Sequence, residues 1–298
     1  MSAPLSNHSK GLLLTGLGGM MLTFDIPLIR LSAGEHWTIL FLRSFATLVS
    51  ALAIWFLWKR LRKDAPPLLA GRTGLIVAAL YGGSTIAFLS AVFYTSTANL
   101  VFILAMNTMF AALLSWVFLK ERPKPATLIT MVAMIVGVGI IVGDSVGTGS
   151  VFGDMLALLS AFLIAVAITV TRSSGKDVGF SSLVAVVLPL AIAAFMLPGG
   201  TLTVESPWWI LFNGAVVMPI AFFCLANGPR YLSGPEVAMF YLLETVLAPI
   251  WVWLIFNEQP TRNSLIGGTI IILALVAHTA WQMRSRRRRM AVNAQGVV

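Results

Sequence analysis

The sequence predicts an all-α integral membrane protein. Ten transmembrane helices form two inverted five-helix repeats around a central cavity, with the N-terminus and C-terminus both inside. Three observations carry this prediction: an apolar composition, basic residues that alternate in position between apolar runs, and an internal repeat. Hydrophobic residues make up 58% of the 298 positions and charged residues only 10%, with a mean hydropathy of +0.91, more than a water-soluble domain needs. A bilayer core of about 30 Å takes roughly 20 apolar residues per helix, so the chain has room for about ten spans.

Runs bounded by charge, Gly or Pro fall at 11–30, 37–58, 73–94, 97–119, 126–143, 152–171, 181–197, 208–230, 234–256 and 264–282. The first opens after Lys10, outruns a secretory h-region and offers no clear A-x-A site, so it is read as a retained helix. The second to fourth end at Lys59-Arg60, at Tyr94 and at Lys120, and the fifth opens beyond Pro125. Asp154 marks the start of the sixth and Arg172 its end; Pro198 stops the seventh and Pro207 introduces the eighth. Gly234 opens the ninth, and Arg284 closes the tenth. The units are 1–145 and 146–283, one five-helix repeat each, and a basic tail at 284–298.

Lys and Arg set the orientation. With the N-terminus cytoplasmic, seventeen basic residues fall inside, only Arg30 and Arg262 fall outside, and Arg43 lies within the second span. The net charge of +9 is therefore a topology signal and not a nucleic-acid footprint, and Arg284 to Arg289 anchor the chain to an anionic membrane surface. Cys224 is the single cysteine, which leaves no disulfide framework and no Cys-based metal site.

A shift of 137 residues lays 94–128 on 231–265. Tyr94 meets Tyr231, Ser96 meets Ser233, Thr108 meets Thr245, Trp116 meets Trp253, Glu121 meets Glu258 and Pro123 meets Pro260. At a shift of 142, Gly11 meets Gly153 and Arg30 meets Arg172. Five spans per half is an odd number, so the second copy enters the bilayer from the opposite side. Inverted repeats of this kind are used by transporters, whose two halves exchange conformations around a midplane site.

The segments "LKERP" and "FNEQP" after spans four and nine, "GPRYLSGPE" before span nine, "LRSFATL" around Arg43 and "GDMLALLSAF" at the start of span six occur in a characteristic order. In these the chain resembles the drug/metabolite transporter superfamily, in its ten-helix EamA-like branch, and is most similar there to the YddG-type aromatic amino acid exporters. The resemblance implies a basket of helices around a cavity, with spans five and ten peripheral, and efflux across the bacterial inner membrane. The common pattern has Pro where Thr108 and Thr245 stand, which puts helix bending at those positions in question.

Charged groups inside spans are expensive and tend to be functional. Glu244 lies midway along span nine, on one face with Phe240 and Glu236. The repeat pairs these with Asn107, Ile103 and Asn99 on span four, so Asn107 and Glu244 are expected to line the cavity, with Asn99, Glu236, Phe240, Met106 and Tyr81 in the substrate-binding wall. The competing reading makes Glu244 a buried structural hydrogen bonder. Asp25, ahead of Pro27, and Arg43 lie at similar depth and are expected to pair. Gly82, Gly83, Pro219 and Pro249 are candidate hinges, and Gly139 with Gly143 forms a GxxxG in span five that permits close helix approach.

The leading expectation is a secondary transporter exporting amino acids, aromatic ones included, and related small metabolites by alternating access. Its partners are the small-molecule substrate and the lipid bilayer, with no nucleic acid, no obligatory protein partner, no cofactor and no metal. Proton-coupled efflux of lipophilic cationic drugs is the alternative, in which Glu244 would exchange protons. No Walker-type G-x-x-x-x-G-K-[ST] is present. An intramembrane enzyme would need clustered acids, bases or metal ligands that the spans do not supply, and a channel would need a filter loop or rings of charge.

Overall fold

A computed structural model describes residues 7–61, 68–69, 71–174, 184–197, 199, 201–227, 231–232 and 234–295. The described residues are almost entirely helical. Span one is split into α1 (Asn7–Leu22) and α2 (Asp25–Leu31), followed by α3 (His36–Leu61) and α4 (Gly71–Tyr94). Span four is split into α5 (Thr97–Leu104) and α6 (Asn107–Leu119), followed by α7 (Pro125–Thr148) and α8 (Val151–Ser174). Then come α9 (Val187–Met196) and α10 (Pro207–Phe212), a π-helical turn at Asn213–Val217, α11 (Met218–Asn227), α12 (Gly234–Phe256) and α13 (Arg262–Gln295).

Among the described residues, nine helical stretches are long and apolar enough to cross a membrane. The remaining expected span, 181–197, begins outside the described residues and is represented by the ten-residue α9. Residues 228–230 at the end of the eighth and the last three residues of the tail also lie outside them. α13 runs on past the last apolar stretch into the basic tail, to Gln295, because no Gly or Pro interrupts the sequence between Gly268 and Gly296.

Each break in a helix has a local cause. Pro27 has no N–H to give to the Thr23 carbonyl, and the chain turns at Thr23 and Phe24. The Thr23 hydroxyl donates to the Met20 carbonyl at 2.7 Å, and Trp251 of α12 closes over the break, its indole N–H donating to Thr23 Oγ1 at 3.1 Å. In span four the Thr108 hydroxyl donates to the Ala105 carbonyl at 3.0 Å, and Met106 N–H bonds back to Ile103 at 2.9 Å, a tightened turn. Thr245, the repeat partner of Thr108, lies in an unbroken helix. The π turn ends two residues before Pro219, whose missing N–H leaves the Ala215 carbonyl within that turn without its helical donor.

Fully buried aliphatic side chains, among them Ile26, Ile39, Leu40, Leu89, Leu100, Ile103, Ile141, Ile210 and Ile271, fill the space between helices. Val117, Phe118, Ile129, Val146, Phe195 and Leu273 stay exposed on the outside of the bundle, as lipid-facing residues do. Several crossings are too close for a Cβ. A methyl at Gly153 would sit 2.6 Å from the Thr95 backbone nitrogen, and one at Gly11 would sit 2.6 Å from Tyr231 Cβ. Gly137 and Gly267 pack backbone to backbone between α7 and α13. Gly139 and Gly143 make no close approach within the chain: a methyl added to either would have no neighbouring atom within 4 Å among the described residues, whereas Gly137 makes the crossing with α13.

Loop contacts sort by bundle end. At one end Gly34 bridges Val204, and Asp144 accepts from Thr261 and Asn263. At the other Lys124 lies over the Trp281 ring and Gly11 abuts Tyr231.

Candidate functional site

The break in span one turns Asp25 into the bundle. Arg43 Nη2 reaches its two carboxylate oxygens at 3.1 and 2.8 Å, and both side chains are buried. Asn213, in the π turn, completes the cluster: its amide nitrogen donates to the Asp25 backbone carbonyl at 3.1 Å and to Oδ1 at 2.8 Å, while its own oxygen accepts from Arg43 Nε at 3.2 Å. The π turn is what aims Asn213 here, and Gly214 beside it leaves room for the Arg43 backbone, whose carbonyl oxygen would lie 2.5 Å from an added Cβ. Arg43 also lies over the Phe88 ring, 5.9 Å from its centroid. Nη1 is left without a hydrogen-bond partner among the described residues.

Glu244 stands on α12 facing this cluster, with Asp25 and Arg43 as the charged groups whose fields reach it. It is half-buried and takes no hydrogen bond or ion pair among the described residues. Tyr241, one turn earlier, lies within electrostatic reach of both Glu244 and Tyr81 on α4. Two phenols, a free carboxylate and one edge of a guanidinium therefore share a region close to mid-span.

The other expected site residues divide. Asn107 begins α6 just after the break in span four, half-buried and with no hydrogen-bond partner among the described residues. Met106 is buried in the main apolar core. Phe240 packs against α1, its ring 3.3 Å from a Cβ built on Gly16, and joins the small cluster of Leu22 and Met218. Glu236 is half-buried in the first turn of α12. Asn99 is engaged elsewhere: its amide donates to Ser145 at 3.1 Å and its oxygen accepts from Ser264. Ser145 and Thr95 in turn donate to the fully buried Asp154, each at 2.5 Å. This network ties α4, α5, α7, α8 and α13 together, and Asn99 borders a separate cleft of about 370 Å³ with Arg30, Thr95, Asp144, Glu258 and Thr261.

Of the candidate hinges, Gly82 and Gly83 lie within the continuous α4, where a Cβ on Gly82 would meet the Ala185 carbonyl oxygen at 2.7 Å. Pro249 is inside the continuous α12, and Pro219 follows the π turn. Sequence reading missed Asn213. An amide inside "LFNGAVVMP" was a signal by the same reasoning that singled out Asp25 and Arg43. Among the described residues no cluster of His, Cys, Asp and Glu could hold a metal.

A polytopic helical bundle with charged and polar groups near mid-span is an arrangement that membrane transporters use. The model of the EamA-like transporter family matches the chain twice, at residues 9–143 and 151–279, and the chain belongs to that family, within the drug/metabolite transporters. A pseudopaline exporter of Pseudomonas aeruginosa, CntI, is 25% identical over 245 residues, covering 78% of this chain and 83% of that one. An uncharacterized transporter of Clostridium kluyveri is 19% identical over 218 residues, covering 68% and 70%. One protein crystal structure matches with a TM-score of 0.63 at 17% identity, over 92% of this chain and 98% of the other, a likeness of fold.

Proposed function

We propose that the chain exports amino acids, aromatic ones included, and related small metabolites across the bacterial inner membrane, by alternating access of two inverted five-helix halves with both termini cytoplasmic. The observation that carries this reading is Glu244, a half-buried carboxylate near mid-span, within electrostatic reach of Asp25 and Arg43 and with no hydrogen bond or ion pair among the described residues. A charge there costs about 2.5–3.5 kcal/mol on insertion scales unless a cavity or partner receives it, and a cargo ammonium group is a partner of the right sign. Arg43 Nη1 offers the opposite charge for a cargo carboxylate, while Tyr81, Tyr241 and Phe88 supply faces for an aromatic or apolar side chain. In this reading Asn107 contributes to the cargo wall with Glu244; Met106, Phe240 and Glu236 support it from behind, Asn99 braces the bundle through its own network instead, and Gly82, Gly83, Pro219 and Pro249 serve as pivots.

Support for inverted halves comes from the double family match and from reciprocal contacts. Gly11 packs on Tyr231 and Gly153 on Tyr94, and the repeat register exchanges both glycines and both tyrosines. The rim contacts also join only loops that the N-in, C-in topology puts on one side. The named relatives are bacterial, and one carries the name of an exporter.

Proton-coupled efflux of cations is the second reading, favoured by one observation: Glu244 takes no part in the Asp25–Arg43 pair and has no hydrogen bond or ion pair of its own among the described residues. Purified protein in liposomes, assayed for labelled amino acid uptake with and without a pH gradient, separates the two. Gradient-independent amino acid flux supports export by facilitation; absence of flux for every amino acid, with cation flux that follows the gradient, defeats the first reading.

A further inference from the structure

Two ion pairs join the N-terminal half of the chain to the C-terminal half, one at each end of the bundle. Arg30 Nη1 lies 2.5 Å from Glu258, and Arg172 Nη2 lies 2.9 Å from Glu121. Arg30 and Glu121 belong to the first half, Glu258 and Arg172 to the second. The repeat register sets Arg30 on Arg172 and Glu121 on Glu258, so each pair is the other with the halves exchanged. Even the local turn is copied: Lys120 and Asn257, the residues before the two glutamates, both adopt the left-handed conformation at φ 56°.

We infer that these pairs are the alternating latches of the transport cycle, Arg30–Glu258 holding the outer rim closed and Arg172–Glu121 the cytoplasmic rim. The inference rests on the inverted-halves reading above and is independent of what the cargo is. When two halves rock about an axis in the membrane plane, one rim parts as the other compresses. A contact between halves at a rim must break whenever that rim opens.

The two latches are unequal. At the outer pair each side chain is 25% exposed; Arg30 also approaches the carbonyls of Val92 and Thr95, each at 3.5 Å, and Glu258 accepts the Thr97 N–H at 2.7 Å. The outer latch thus also holds the junction between α4 and α5. At the cytoplasmic pair the side chains are 51% and 54% exposed, and Arg172 gains one further bond, to Ser115 at 2.9 Å. Exposed pairs are screened and weak, so the cytoplasmic latch opens more readily, which suits a carrier that loads from the cytoplasm.

The test reads accessibility and needs no cargo. In a Cys224→Ser background, Tyr241→Cys places a reporter thiol in the central region, labelled by a membrane-impermeant maleimide added to the outside of cells or to inside-out vesicles. Glu258→Gln should raise labelling from outside by about fivefold, the scale of losing one partly exposed pair. Glu121→Gln should do the reverse, lowering labelling from outside and raising it in inside-out vesicles. Unchanged labelling, or shifts of the same sign in both variants, overturns the inference. Should Glu121→Gln fail to reach the membrane, Arg172→Glu with Glu121→Arg restores the attraction with its polarity reversed. Parental labelling is then expected, and a labelling pattern that stays shifted also overturns the inference. Absence of amino acid flux by the parent protein in liposomes, with opposite-sign labelling in the variants, would instead count against the proposed cargo alone.

Discussion

Replacing Asp25 by Ala tests whether the Asp25–Arg43–Asn213 cluster holds the fold together. The substitution removes both Arg43 contacts, at 3.1 and 2.8 Å, and the 2.8 Å bond from Asn213. It leaves Arg43 as a buried cation with one side-chain bond, from Nε to Asn213. Truncating one partner of a buried ion pair costs about 3–5 kcal/mol, largely from the stranded charge. At roughly 2 °C per kcal/mol for a chain of this size, the thermal midpoint of detergent-purified protein should fall by about 6–10 °C. Asp25→Asn combined with Arg43→Gln removes both charges together and should recover most of that loss. The assay is thermal unfolding followed by tryptophan fluorescence or by the monomer peak after heating. An Asp25→Ala midpoint within a degree or so of the parent, or a double variant no better than the single one, would refute the reasoning.

Glu244→Gln should abolish or strongly reduce transport in proteoliposomes while leaving the thermal midpoint unchanged or raised, because the carboxylate has no partner to lose among the described residues; a large fall in the midpoint would reveal a structural role. Gly153→Ala, whose new methyl would run into the Tyr94 carbonyl and the Thr95 nitrogen, should destabilise by about 1–3 kcal/mol, read by the same melt. Gly139→Ala, with open space at the methyl position, should be neutral or stabilising by up to about 1 kcal/mol through helix propensity, and a drop would reveal a contact made by another copy of the chain. Asn213→Leu should lower the midpoint by about 2–4 kcal/mol in stability terms, because it leaves Arg43 Nε and Asp25 Oδ1 each short of a bond.

Helices were the most legible part of the sequence because each must satisfy its own backbone in lipid, which forces long apolar runs with punctuated ends. The break at Thr23 and Phe24 was legible through Pro27, since a missing donor acts four residues back whatever surrounds it. Asn213 was not. Nothing local says that an amide 188 residues beyond Asp25 will meet it, and the π turn that aims it has no signature stronger than the following Pro219. The two halves also hid their differences: Thr108 and Thr245 occupy matching positions, yet only the first marks a broken helix, because bending depends on what packs alongside. Asn99 shows the limit of symmetry as a guide to side chains. Its amide is taken up by Ser145 and Ser264, which the register that pairs it with Glu236 does not reveal.

The Asp25–Arg43–Asn213 cluster has no mirror image: the repeat register places Ala167 opposite Asp25 and Ile76 opposite Asn213. A duplicated chain that keeps its rims matched and its centre unmatched separates two kinds of inheritance. Changes at a rim are constrained twice, because each pair must balance its counterpart at the other membrane face. Changes around the central cluster, which joins Asp25 and Arg43 of one half to Asn213 of the other, have no counterpart to balance and can drift with the cargo. Distant relatives can therefore share the motion of this bundle while carrying different molecules, and agreement between them at the rims says nothing about what any of them carries.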